Sequence, residues 1–217
     1  MIRPRPYISF SQMTTFEMSP ERFIEQYIYG KKMRISRNIA LGSMLAEGLE
    51  AEEFTGNPML DIMMSRLPKF ELMDRPVEDK KGVVVIDPHT KKSHKVPVLK
   101  DGKGLIPLLA KPDTAKADYT AFKEYKSSTK KWTQKMVDQS GQITFYCFAI
   151  WLKTGKIPAD IELVGITTKY EENGALVPSG EIWRYKTTRT MVDMIKMSGR
   201  IKRAWAGIKE LCEKEML

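Results

Sequence analysis

The sequence predicts an α+β fold, a central mixed β-sheet flanked by helices, and three observations carry that expectation. Apolar residues recur at helical spacing through the first third of the chain. Period-two runs fill the stretch from Gly82 to Lys126, and a long helical segment then separates them from two further strands and a closing basic helix. At 217 residues the chain is long enough for one substantial core and short for two, so residues 1–217 are taken as a single domain.

After a Pro-rich start, Ser9-Phe10-Ser11-Gln12-Met13 reads as an extended segment leading into a helix, with Ser11 placed to accept from its free N–H groups. That helix runs towards Glu17, where Ser19-Pro20 ends it and starts another carrying Phe23, Ile24, Tyr27 and Ile28 up to Gly30. Leu41, Leu45 and Leu49, set among Glu47, Glu50, Glu52 and Glu53, predict an amphipathic helix from Ala40 to Phe54, closed by Gly56-Asn57-Pro58. A short helix follows from Met59 to Arg66.

Strands are expected at Val83–Ile86, Lys95–Leu99, Leu105–Ala110 and Tyr119–Lys126, with turns at Asp87-Pro88 and Asp101-Gly102. A helix from Trp132 to Leu152 is ended by Gly155 and Pro158. Two more strands, Ile161–Lys169 and Glu181–Lys186, are joined by a turn at Glu172-Asn173-Gly174 or at Pro178-Ser179-Gly180. A basic amphipathic helix from Arg189 closes the chain, and there is no internal repeat.

Hydrophobic residues at 42% and charged residues at 29% exclude the composition of a disordered chain. Lys and Arg number 36 against 27 Asp and Glu, and a net charge of +9 favours a polyanionic partner. The two cysteines, Cys147 and Cys212, lack partners at metal-ligand spacing, which argues against a structural zinc or an iron–sulfur cluster. His89 and His94 are expected at the surface of a hairpin. The fourteen methionines, recurring at helical spacing as in Met59, Met63, Met64 and Met191, Met194, Met197, are expected to pack in the core. Met1 to Pro6 carry Arg3 and Arg5 without a following apolar run, so a cytoplasmic protein is expected.

The chemistry concentrates in Lys111-Pro112-Asp113, ten further residues, then Glu124-Tyr125-Lys126. Glu124 and Lys126 are two apart and share one face of a strand, where Asp113 from a neighbouring strand can join them. Two carboxylates in one pocket suit hard divalent cations, magnesium or manganese. A lysine beside them can orient water and offset charge on a phosphorane. Taken singly, Asp113 reads equally well as a turn residue and Glu124 with Lys126 as alternating edge-strand residues. Their order and spacing together carry the chemistry.

This pattern resembles the PD-(D/E)XK nuclease superfamily. Gln142-Ile143-Thr144-Phe145-Tyr146, with Gln142 and Tyr146 at i, i+4 on the following helix, is similar to the Gln-x-x-x-Tyr motif of its RecB-type exonuclease branch. The resemblance spans about Tyr7 to Leu152 and implies a restriction-endonuclease-like core. It also implies a metal-dependent deoxyribonuclease, in which Asp113, Glu124 and the Tyr125 carbonyl bind Mg2+ or Mn2+, Lys126 positions the attacking water, and Gln142 and Tyr146 hold the strand or the lysine. Two departures matter. The branch often carries Gly-x-x-x-His in an early helix, but Gly42 is followed four residues on by Ala46, leaving Glu47, or less favourably Glu50, to approach the metal. Ser19 rather than Cys precedes Pro20, which matches members without an iron–sulfur cluster, the phage-type exonucleases.

The implied role is processing DNA ends in replication, recombination or repair, alongside a recombination or replication protein, in a bacterial or phage-infected cell. The alternative is a catalytically inactive DNA-binding or assembly subunit of the same fold. Lys130, Lys131, Trp132 and Lys135 are placed to track a phosphate backbone with the indole stacking on a base, the competing reading being a solvated helix start. Arg200, Lys202 and Arg203 read better as an exposed basic face.

Overall fold

The sheet built by the period-two runs has four strands in the order β6-β7-β8-β9, comprising β6 (Thr114–Ala115), β7 (Ala121–Ser128), β8 (Asp160–Tyr170) and β9 (Leu176–Thr187). Strands β7 and β8 run parallel and the outer pairs antiparallel, so the sheet is mixed. The computed structural model describes residues 5–31, 37–51, 53–67, 82–102 and 104–215. Arg3, the expected helical residue Glu52, and the side chains of Ala46, Leu49 and Glu50 lie outside the described residues.

Parallel strands need a crossover, and α5 (Gln134–Asp138) with α6 (Gly141–Thr154) supplies it. The sequence predicts one helix here. Thr133 caps α5, Ser140 caps α6 by accepting from the Ile143 N–H, and the two local caps divide the segment. Against one face of the sheet pack α6, α1 (Phe10–Met18) and α7 (Met191–Glu215), burying Phe122, Ile161, Leu163 and Trp183 with Phe145, Phe148, Met194 and Ile201. Tyr125, Val164 and Ile166, of opposite parity along the strands, meet Leu41 and Leu45 of α3 (Arg37–Ala51) and Leu60, Met63 and Met64 of α4 (Pro58–Arg66). Both faces are therefore covered. Met63, Met64, Met194 and Met197 are core residues as expected, whereas Met59 and Met191 are exposed.

A smaller group of strands flanks this layer. Strand β1 (Ile8–Ser9) pairs parallel with β5 (Gly104–Leu109), which pairs antiparallel with β4 (Val98–Asp101), while β2 (Val83–Ile86) and β3 (Ser93–Val96) form a hairpin. The predicted Lys95–Leu99 strand is split because Pro97 has no N–H for a ladder, so the chain changes partner there. Tyr7 donates its hydroxyl to buried Asp87, which also accepts from the backbone N–H groups of His89 and Thr90 and shapes the hairpin turn. His89 and His94 are half-buried rather than superficial, His94 meeting the Tyr7 ring edge-on at 6.0 Å.

Two further expectations are corrected, and one pair of alternatives is decided. Ser9, not Ser11, caps α1, in a reciprocal box with Gln12. After α2 (Pro20–Phe23) the chain widens into a π-helical turn, Ile24–Ile28, before Gly30 at φ 67°. The turn between β8 and β9 lies at Glu171–Gly174, with Gly174 at φ 75°, and β9 therefore starts earlier than expected and absorbs Pro178-Ser179-Gly180 as a bulge opposite Thr167. At Gly165 a Cβ would lie 1.9 Å from the Trp183 ring, so only glycine lets these paired strands keep that indole inside. Among the described residues no helix is long and apolar enough to cross a membrane.

Candidate active site

Asp113 immediately precedes β6. The pairing of Thr114 with Lys123, continued by one residue, sets Asp113 beside Glu124, and the Asp113 Oδ2 accepts the Tyr125 N–H at 2.7 Å. Alternation along β7 then puts Glu124 and Lys126 on the face of α6, where Gln142 and Tyr146 are one turn apart. Glu124 Oε1 accepts from Lys126 Nζ at 2.6 Å and from Gln142 Nε2 at 2.8 Å, and Gln142 Nε2 also donates to the Tyr146 hydroxyl at 2.8 Å. A cavity of about 400 Å³ is lined by all of these side chains together with Gly42, Ser43 and Leu45 of α3 and Ser127. The sequence-predicted set Asp113, Glu124, Tyr125, Lys126, Gln142 and Tyr146 is thus brought together in one place.

Glu124 is 2% exposed, and its Oε2 is buried without a hydrogen-bond partner. Burial pushes its carboxyl up to about 7; Lys126 pulls it back, the Asp113 charge pushes it further, and the Asp113 backbone N–H pulls it back. A buried polar atom left unmet costs about 1–3 kcal/mol, and more when charged, so such atoms are rare and call for an explanation. Burial also raises the Tyr146 phenol, with the Glu124 charge adding to it, so this hydroxyl stays protonated.

The chemistry of the donors bears on whether a cation fits. One bare carboxylate oxygen on Glu124 and a second carboxylate on Asp113, both lining an open cavity, are hard oxygen donors of the kind magnesium and manganese take. No group of three or more His, Cys, Asp or Glu side chains converges among the described residues. Magnesium bound through one or two carboxylates with its remaining positions filled by water needs no such group.

Glu47 is exposed and does not line the cavity. The reason is helix phase: Leu41, Leu45 and Gly48 are the buried stripe of α3, and Glu47, two residues beyond Leu45, is turned about 200° from it. The side chain of Glu50 is outside the described residues. Ser43 and Ser127 were not singled out from the sequence. Neither carries a local signal, since their approach depends on α3 crossing β7 at Gly42, where a Cβ would meet Ser127 Oγ at 3.4 Å.

Lys130 and Lys135 are exposed beyond the end of β7, while Lys131 reaches Glu181 at 3.4 Å. Trp132 is half-buried with its ring stacked on Trp183, centroids 6.4 Å apart, so one indole face is already taken. On α7, Arg200 makes a two-pronged contact with Glu17 at 2.8 and 2.6 Å and Lys202 pairs with Asp101 at 3.3 Å, leaving Arg203 exposed.

A crystal structure from Eubacterium rectale, of a protein named "Putative exonuclease", matches this fold with a TM-score of 0.53 over 97% of this chain and 82% of that chain, at 12% identity. The two chains share a fold. No family model matches the sequence, and no curated protein is a significant match to it.

Beside this site, on the opposite face of the sheet, a second buried carboxylate has a different fate. Glu162 accepts from Lys123 at 2.9 Å and from Arg184 at 2.7 and 3.0 Å. Burial alone would raise its carboxyl, but the Arg184 and Lys123 hydrogen bonds and charges outweigh it and hold it below the usual range. This ion-pair group has no counterpart in the sequence reading, because nothing local marks three charged residues from three strands as neighbours.

Proposed function

We propose that this protein is a metal-dependent deoxyribonuclease of the PD-(D/E)XK type, in the RecB-like branch without an iron–sulfur cluster, acting as an exonuclease on DNA ends in replication, recombination or repair. The observation that carries the reading is the buried Glu124 carboxylate, one oxygen of which has no hydrogen-bond partner, in a residue that lines the same cavity as Asp113, Lys126, Gln142 and Tyr146. The shared fold with a protein named as an exonuclease supports it.

Asp113, Glu124 and the Tyr125 carbonyl are the donors that would hold Mg2+ or Mn2+. Bound there, the cation supplies Lewis-acid polarisation of a phosphoryl oxygen. Lys126, tied to Glu124 at 2.6 Å, orients the attacking water and offsets the charge that develops on the phosphorus oxygens. Gln142 fixes the Glu124 rotamer from the helix side, and the protonated Tyr146 hydroxyl offers a donor towards the strand. Lys130 and Lys135 stand ready to meet the phosphate backbone.

The exposure of Glu47 favours a second reading, a catalytically silent DNA-binding subunit, since the early helix then lends no ligand side chain at that position. End-labelled single- and double-stranded DNA incubated with magnesium, manganese or EDTA separates the two. Metal-dependent cutting that disappears in Asp113→Ala supports the nuclease; DNA binding without cutting in either metal supports the silent subunit.

A further inference from the structure

A second cavity, of about 150 Å³, lies next to the candidate active site. Buried Leu108 of β5 and Ala149 and Ile150 of α6 lie behind it, and half-exposed Leu109, Ala110 and Pro112 present its apolar surface. Lys95 and Lys111 are exposed at its edge, and Lys153 and Tyr119 form a polar side. Lys153 Nζ lies 4.2 Å from the centroid of the Tyr119 ring and donates to its hydroxyl at 2.8 Å. Tyr119 holds φ 58°, a left-handed conformation that bulky side chains rarely adopt. The turn between β6 and β7, in which the Tyr119 N–H donates to the Lys116 carbonyl at 2.9 Å, holds it there and fixes where its ring lies.

The two cavities adjoin along two elements. Lys111 and Pro112 line the second, and the next residue, Asp113, lines the first. On α6, Ala149 and Ile150 follow Tyr146 by one turn on the same side, about 6 Å along the axis. A space of about 150 Å³ admits one ring of benzene's size. Ammonium groups beside an apolar slot suit a planar base flanked by phosphate.

Resting on the nuclease reading, we propose that this cavity is a nucleotide subsite. It takes the base of a nucleotide adjoining the scissile phosphate against the half-exposed Leu109, Ala110, Pro112 and Tyr119, with Lys111 and Lys153 on the flanking phosphate. A single six-membered ring fills the space, so the subsite favours a pyrimidine over a purine.

The test is the fluorescence anisotropy of a labelled oligothymidylate titrated with wild-type protein in EDTA, where no cutting is needed. Tyr119→Asn keeps a residue that tolerates the left-handed backbone while removing the ring, and is expected to weaken binding about tenfold. An abasic strand of equal length is expected to bind wild type about tenfold more weakly than the oligothymidylate, and oligodeoxyadenylate to fall between the two. Lysine acetylation of the wild-type protein gives a measure that no variant can confound: at equal strand concentration the oligothymidylate should protect Lys111 and Lys153, and the more weakly bound abasic strand should protect them less. Equal binding of abasic and base-bearing strands, or equal acetylation with and without strand, overturns the subsite. Base-dependent binding without cutting in magnesium removes the nuclease reading and leaves the subsite standing; cutting without base dependence removes the subsite alone.

Discussion

Glu124 on β7 and Glu162 on β8 are the same residue type in neighbouring strands, 2% and 3% exposed, yet their carboxyls move in opposite directions. Glu162 meets two cations, Lys123 and Arg184, and both its oxygens are engaged. Glu124 shares one oxygen between Lys126 and Gln142 and leaves the other bare beside Asp113. Burial alone does not separate these two carboxylates. The distinction lies in which acceptor sites the protein leaves unmet for something else to fill.

The largest expected effect tests the functional half of the comparison. Lys126→Ala should lower metal-dependent DNA cutting on the order of 100- to 1,000-fold, the scale of removing one transition-state donor. Glu162→Gln, assayed at a temperature where it remains folded, should keep most of the activity. Equal losses in release of end label would erase the distinction between the two carboxylates.

Stability should invert the ranking. Glu162→Gln takes the carboxylate away from buried Lys123 and should cost about 3 kcal/mol, as breaking a buried pair does. Urea midpoints measure this directly, and a loss below a few tenths of a kcal/mol would show that the ion-pair group is dispensable.

The two carboxylates should also leave opposite marks on the pH dependence of stability in metal-free protein. Because the folded Glu124 value is raised to about 7, the native state holds an extra proton between the ordinary carboxyl range and pH 7. Its contribution is present at low pH and lost as the pH rises through that window. Glu124→Gln should therefore gain on wild type by up to about 1.4 kcal/mol per pH unit there, and level off above it. Glu162, held low, does the reverse: its contribution is full above the ordinary carboxyl range and is lost as the pH falls through the lowered value. Parallel stability curves for Glu124→Gln and wild type would remove the raised value.

The smallest effect concerns the surface. Lys130→Ala and Lys135→Ala should each weaken DNA binding only a few-fold and reduce the slope of log affinity against log salt by about 1, uniformly across sequences. An unchanged slope would take these lysines off the DNA path.

Much of the fold was legible because its signals are local. Gly, Pro and Asp turns bounded the strands, and Ser19-Pro20 marked a helix boundary that the structure keeps. The misplaced boundaries have physical causes. Pro97 divides a strand by withholding one N–H, Ser140 caps a helix inside an apolar run, and the bulge at Pro178-Ser179-Gly180 extends β9 through residues that resemble a turn. In each case pairing or capping at one or two residues outweighed a pattern averaged over ten or more.

The sequence by itself determined which chemistry the site could hold. Period two puts Glu124 and Lys126 on one face of β7, and the i, i+4 spacing aligns Gln142 with Tyr146 on α6, whatever the rest of the chain does. Only the tertiary structure decided what each group meets. The register of β6 against β7 brought Asp113 beside Glu124, the phase of α3 turned Glu47 away, and the pairing of β7, β8 and β9 gave Glu162 the cations that Glu124 lacks. Face and spacing are properties of a few consecutive residues, whereas an unmet oxygen is defined by every element that packs around it.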